Sequence, residues 1–251
     1  MKLIVLDPGH GGDADSKRGF YGIGEDRNEG INNFKACVAI KKYIEERYLA
    51  DVKMTRSSMS DNPWPGRGDM FPGADLFYSR HSNAFNGAVR GSEVLVGTGS
   101  PEASKLAAAL CAKMSELFKH NNRGLINGDS YVVIKEAKAA GAKMAMLAEF
   151  GFHDAKLDAD FMIANRDLIA AWEGELIAQH LGLPIIPKET VLSSGVEPPK
   201  PSGVTLAPAG KLYRVGLGAF AVRENALKLR DEAIAKGFEA YLTLIDDPRR
   251  K

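Results

Sequence analysis

Leu3-Ile4-Val5-Leu6-Asp7-Pro8-Gly9-His10 is an apolar run that stops at an acid and a Pro-Gly turn, directly before a histidine. A short apolar run bounded by turn residues reads as a buried strand. Two later stretches repeat the layout. Asp75-Leu76-Phe77-Tyr78-Ser79 leads into Arg80-His81-Ser82-Asn83, and Met144-Ala145-Met146-Leu147-Ala148 leads into Glu149-Phe150-Gly151. Between the first two, Glu29 opens an amphipathic stretch that begins at Ile31. Strand-like runs near residues 2–6, 51–55, 75–79, 91–96, 130–134 and 144–150 alternate with helical patterns near 31–48, 101–120 and 167–182. This alternation predicts an α/β fold, a mostly parallel or mixed sheet flanked by helices. In such a sheet the carboxyl ends of the strands converge on one crevice, so His10, His81 and Glu149 are expected to meet there.

Composition sets the frame for that site. The chain has 251 residues, room for one large domain and a small appendage, and its 45% hydrophobic and 26% charged residues are ordinary for a globular protein. No apolar run approaches membrane-spanning length, so no membrane insertion is expected. The apolar run before Asp7, Leu3–Leu6, is only four residues long, too short for the core of a secretory signal. Synthesis in the cytoplasm without a signal peptide is therefore the expectation. Cys37 and Cys111 fall on apolar faces of predicted helices and read as small core residues, not a disulfide framework.

Organisation changes at Pro184. Six of the twelve prolines lie between residues 184 and 210, which predicts an extended, semi-stiff linker. The preceding residues 1–183 form the expected catalytic domain. Residues 211–251 then read strand, helix, strand: Leu212–Phe220, Glu224–Lys236 closed by Gly237, and Glu239–Ile245. A βαβ unit of this size buries little surface alone. It carries nine Lys/Arg against six Asp/Glu, which favours an anionic surface or is simply a solvated terminus.

The chemistry follows from donor types. Two imidazoles and one carboxylate are a recurring ligand set for catalytic zinc, and a fourth position is left for water. Zinc lowers the pKa of that water to about 7, and a nearby carboxylate can take its proton and return it to a leaving amine. Glu149 is the candidate for that carboxylate, because a charged group at the end of a buried apolar strand costs free energy unless paired or employed. Taken singly, His10 reads as a turn residue, His81 as a core-edge histidine, and Glu149 as a partner of Arg56 or Arg80. His120 and His180 sit near helix C-termini and receive no chemistry; His153, four residues past Glu149, reads as rim.

Leu6–Gly12, Ser79–Ala84 and Leu147–Phe152 together resemble the zinc-dependent N-acetylmuramoyl-L-alanine amidases of type 3, found among bacterial cell-wall hydrolases and phage endolysins. The resemblance spans about residues 1–183. It implies zinc ligands His10, Glu29 and His81, with Glu149 as the catalytic carboxylate; Glu25 lies close enough to Glu29 to compete for the ligand role. Arg56 and Arg67 match further family positions, structural or substrate-facing. The implied reaction is hydrolysis of the amide between the lactyl group of N-acetylmuramic acid and L-alanine in peptidoglycan. Two positions depart from the pattern: Arg80 stands where an aliphatic residue is usual, and His153 where a small polar one is.

The tail, through Leu212–Phe220, Asn225-Ala226 and Ala235–Phe238, resembles one half of a SPOR-type peptidoglycan-binding domain. Two chains supplying the two halves would make a homodimer. The implied partner is bacterial peptidoglycan, not nucleic acid, reached after release from a phage-infected cell or a sporulating mother cell. Two alternatives stand beside this reading: a non-catalytic peptidoglycan-binding protein, which would lack one of the four site residues, and a zinc peptidase of related fold.

Overall fold

A computed structural model of the chain describes residues 1–11, 20–63 and 65–186. These lie in the first of the two units into which the chain divides, Met1–Glu189. The expected βαβ tail, and all but the first three residues of the expected linker, fall outside the described residues.

Six strands form one mixed sheet: β1 (Lys2–Pro8), β2 (Ala50–Met54), β3 (Leu76–Asn83), β4 (Ser92–Val96), β5 (Asn122–Asn127) and β6 (Ala145–Phe152), in the order β2-β1-β3-β6-β4-β5. The pairs from β2 across to β6 are parallel, β4 runs antiparallel to β6, and β5 is parallel to β4. The helices are α1 (Glu29–Glu45), α2 (Pro101–Phe118), α3 (Val132–Ala139), α4 (Lys156–Ala164) and α5 (Arg166–Leu181).

Period-two alternation divides the core. Ile4, Leu6, Leu76 and Tyr78 point to one face with Ile40, Ile44, Leu110 and Ile169 from the helices, while Val5, Phe77, Leu95 and Leu147 point to the other with Ile134 and Ala137. Fully burying such an aliphatic side chain contributes about 1.5–3 kcal/mol. α2 shows the local logic. Ser100 accepts from the Ala103 N–H at 3.2 Å, Pro101 fills the first turn, and Leu106, Leu110, Met114 and Phe118 are buried at helical spacing. It ends at Lys119, whose φ of 51° lies in the left-handed region.

The strand expected at 130–134 is not there. Val132–Ala139 is α3, since Val133, Ile134 and Ala137 share one buried face at helical spacing. The strand of this region is β5, mostly exposed and polar at the sheet edge, so it has no apolar run to announce it. Short α4 was also not foreseen. β3 runs on past His81 to Asn83, so His81 sits within a strand and not after it, and β6 carries Glu149 as expected while extending to Phe152. Residues 57–73 hold no helix or strand among the described residues, as expected of a loop.

Candidate active site

Strand register brings the acidic and basic groups together. His81 on β3 pairs with Glu149 on β6, and Glu149 pairs across the antiparallel step with Glu93 on β4. Residues in register share a sheet face, so the three side chains form a row. His10 joins from the turn after β1, which Gly9 extends by donating to the Arg80 carbonyl at 2.9 Å. Glu29 is the first residue of α1, whose N-cap Asn28 accepts from the Ile31 N–H at 2.9 Å.

The resulting cluster is tight. His10 Nε2 lies 3.3 Å from Glu29 Oε2, and His81 Nδ1 lies 3.3 Å from Glu29 Oε1. One donor atom from each of the three residues falls within 4.8 Å of the others. Glu29 is buried, whereas the His10 side chain keeps 32% of its exposure, so the cluster is open on the histidine side. Burial pushes the Glu29 carboxyl up, but hydrogen bonds and charge from His10 and His81 outweigh it and hold the group well below the usual carboxylate range. Glu29 also accepts from the Ser82 N–H at 3.0 Å. An ionised carboxylate facing two imidazoles is the donor chemistry that suits a divalent zinc ion. Glu25, the competing acid, is exposed and pairs with Lys35 at 2.8 Å, outside this cluster.

Glu149 contrasts with Glu29: as a residue it is only half-buried, although its Oε2 is shielded from solvent. Among the described residues its Oε2 has no hydrogen-bond partner, and no basic side chain answers it. Burial first, then the charges of Glu29 and Glu93, drive its pKa well above the carboxylate norm. Neither arginine suggested as its partner is one. Arg80 is fully buried against Glu173 at 3.3 Å, donates to Asn33 Oδ1 at 3.0 Å and lies over the Phe150 ring.

Arg56 and Arg67 serve the histidine turn. Arg56 donates to the Gly30 carbonyl at 2.8 Å and to those of Pro8 and Gly9 at 3.4 Å, while Arg67 donates to the Pro8 carbonyl at 3.0 Å and that of His10 at 3.5 Å. Both are buried, with these guanidinium hydrogen bonds directed at backbone carbonyls of the turn and of Gly30. They brace a strained turn, for His10 has φ 59°, a conformation that costs a non-glycine residue about 1–2 kcal/mol. Asp7 completes the brace by accepting from Thr55 and Ser79 hydroxyls, each at 2.6 Å.

His153 does not line a rim. It is buried behind Glu29, its Nδ1 2.9 Å from Ser82 Oγ and 3.7 Å from Glu29 Oε2, with its ring stacked on Phe20. His120 is tied to Asp158 at 3.1 Å and to Ser92 Oγ at 2.7 Å. Sequence reasoning missed Glu93, which accepts from Asn83 at 2.9 Å and Arg123 at 2.6 Å. The available signal was an acid beside the apolar Val94-Leu95-Val96, the same signal that marked Glu149.

Residues 4–173 match the family described as N-acetylmuramoyl-L-alanine amidase. A sporulation-specific N-acetylmuramoyl-L-alanine amidase of Bacillus subtilis (strain 168) is 26% identical over 258 aligned positions, covering 98% of this chain and 86% of that relative. Among solved structures, an N-acetylmuramoyl-L-alanine amidase from Clostridium difficile 630 superposes with a TM-score of 0.59 at 18% identity, over 72% of this chain and 97% of its own. The catalytic domain of an endolysin targeting C. difficile, CD27L, gives 0.55 at 22% identity, over 74% of this chain and 100% of its own. At these identities the structures speak for the fold, and they share the α/β architecture described above. The sequence match covers two thirds of the chain and includes all four residues of the cluster and its neighbouring carboxylate, so the chain belongs to the N-acetylmuramoyl-L-alanine amidase family.

Proposed function

We propose that this protein hydrolyses the amide between N-acetylmuramic acid and L-alanine in bacterial peptidoglycan, with a zinc ion held by His10, Glu29 and His81. The observation that carries the proposal is the convergence of two imidazoles and one carboxylate within 4.8 Å, beside the half-buried Glu149, whose shielded Oε2 has no hydrogen-bond partner among the described residues. Bound zinc supplies a Lewis acid that lowers the pKa of water to about 7 and polarises a carbonyl. Glu149 accepts a proton from the attacking water and delivers it to the leaving L-alanine amine. Its buried surroundings suit a group that must hold a proton briefly and give it up. Glu29 remains ionised throughout, while Arg56 and Arg67 keep His10 in its turn.

The amidase reading extends to the rest of the chain. Residues 1–183 are the catalytic domain, 184–210 a linker, and 211–251 a SPOR-like half-repeat that binds the wall and pairs with a second copy. Tethering to an insoluble substrate raises the effective concentration of the enzyme there. The cell wall is the place of action, reached at lysis as for an endolysin or a mother-cell amidase.

Incubating the purified protein with bacterial sacculi, with and without chelator, tests the proposal. Free L-alanine amino groups without new reducing sugars, lost on chelation and restored by zinc, are expected. Zinc-loaded, folded protein that releases nothing would leave a wall-binding role; new ends within the stem peptide would indicate a peptidase.

A further inference from the structure

Asn83 ends β3 two residues beyond His81, and both are half-buried on the same sheet face. The bulge between them lies on β6, where Glu149 to Phe152 takes three steps against two on β3, so the alternation of β3 is unbroken. A contact agrees with this placement. Asn83 Nδ2 donates to Glu93 Oε1 at 2.9 Å, and Glu93 stands in register with Glu149. Two strand residues span about 7 Å, so the Asn83 carboxamide neighbours both a candidate metal ligand and the candidate proton carrier.

This carboxamide is held from several directions. Its Oδ1 accepts from the Ala84 N–H at 2.9 Å, its Nδ2 faces the Glu93 carboxylate, and the residue's backbone carbonyl accepts from the His153 N–H at 2.8 Å. A donor against Oδ1 and a carboxylate against Nδ2 fix which end of the amide is which. Glu93 is itself anchored, buried with its Oε2 accepting from Arg123 Nε at 2.6 Å. An amide nitrogen carries two N–H groups, and among the described residues Nδ2 has no second acceptor. Its bond to an ionised partner is of the stronger, charge-assisted kind.

The acidic side chains around it are acceptors. Glu149 and Glu93 lie in the row, and Glu29 faces His81 at 3.3 Å. A carboxylate repels a carbonyl oxygen, yet an amide substrate brings carbonyl oxygens to both sides of the bond to be cut. Such an oxygen, shielded from water without a donor, costs about 1–3 kcal/mol. Along an extended chain the next carbonyl lies about 3.5 Å further on, a step that the Asn83 side chain, about 7 Å along β3 from His81, is placed to meet.

We infer that Asn83 is a substrate-binding residue whose second N–H donates to a carbonyl oxygen next to the scissile amide, and that Glu93 is a positioning residue acting through it. The inference rests on the amidase reading above. The carbonyl belongs either to the N-acetyl group on the glycan side or to L-alanine on the peptide side, and the two products of cleavage carry one each.

The test is calorimetric titration of zinc-free full-length protein with N-acetylmuramic acid and with L-alanyl-D-isoglutamine. Asn83→Ala and Asn83→Ser are compared, since a serine hydroxyl offers one donor in place of two. Both are expected to weaken one product about three- to ten-fold, the range of a neutral hydrogen bond, and to leave the other unchanged; the affected product identifies the carbonyl. Glu93→Gln should weaken the same product by a smaller factor, and should add nothing in the Asn83→Ala background. Zinc affinity, measured separately, should stay within two-fold of the natural protein in every variant. Equal loss for both products, no loss for either, a full additional effect of Glu93→Gln in the double variant, or zinc affinity falling with Asn83→Ser overturns the assignment. Hydrolysis of sacculi by zinc-loaded natural protein is scored apart from binding, so failure of the amidase reading and failure of the Asn83 role give different results.

Discussion

Gly9 and His81 occupy space that only a glycine permits: a Cβ on Gly9 would lie 2.3 Å from both Cε1 and Nε2 of the His81 ring. The ring is held between the turn after β1 and Glu29, and it cannot retreat without losing its 3.3 Å contact with that carboxylate. Gly9→Ala is expected to keep the fold and to weaken zinc binding about 10- to 100-fold, the scale seen when groups that orient metal ligands are disturbed. Zinc retained after dialysis, compared with the natural protein at equal circular dichroism, measures it.

Glu149→Gln removes the carboxylate proposed above as the proton acceptor while keeping size. Turnover of sacculi should fall about 10²- to 10⁴-fold, with zinc content unchanged. Near-normal turnover would show that another group, such as Glu93, moves the proton.

Arg80 and Glu173 form a fully buried ion pair joining β3 to α5, with the Tyr78 hydroxyl donating to the same carboxylate at 2.8 Å. Arg80→Leu alone leaves Glu173 charged and buried, and should cost about 3–5 kcal/mol. Adding Glu173→Leu should recover most of that loss. Urea unfolding of both single variants and the double variant gives the coupling directly.

Asp158 anchors Arg90 and His120 and accepts from the Phe152 N–H at 3.0 Å. Burial raises its pKa, but the hydrogen bond from His120 and the other donors outweigh burial and leave it below 3.8. A depressed carboxylate stabilises the fold above its unfolded pKa, and that contribution disappears as pH falls through the folded value. Asp158→Asn should therefore cost about 1.5–3 kcal/mol at neutral pH, with the difference from the natural protein shrinking below pH 3.8. Denaturant unfolding across a pH series checks this.

Legibility in the sequence followed burial. β1, β3 and β6 are central strands covered on both faces, so their apolar runs are unmistakable, and the three site residues they deliver were readable with them. Edge strand β5 has no such run, and the Val132–Ile134 triplet imitated one although only one side of that helix is buried. The purpose of Arg80 was hidden for another reason. Its partner Glu173 is 93 residues away, and nothing local distinguishes an arginine that will be neutralised from one that will not. Glu25 and Glu29 were separable only by geometry, since one faces Lys35 and the other two imidazoles.

The reversed direction of β4 has an outcome for how such an enzyme can be altered. Residues 84–91 join β3 to β4 and residues 119–121 join α2 to β5, whereas His10, His81 and Glu149 are carried on or directly after β1, β3 and β6. The candidate site residues and the connections flanking β4 and β5 are thus carried largely by separate stretches of chain that meet along one edge of the sheet. The connections around β4 and β5 could be exchanged while the strands that carry the candidate site are left as they stand.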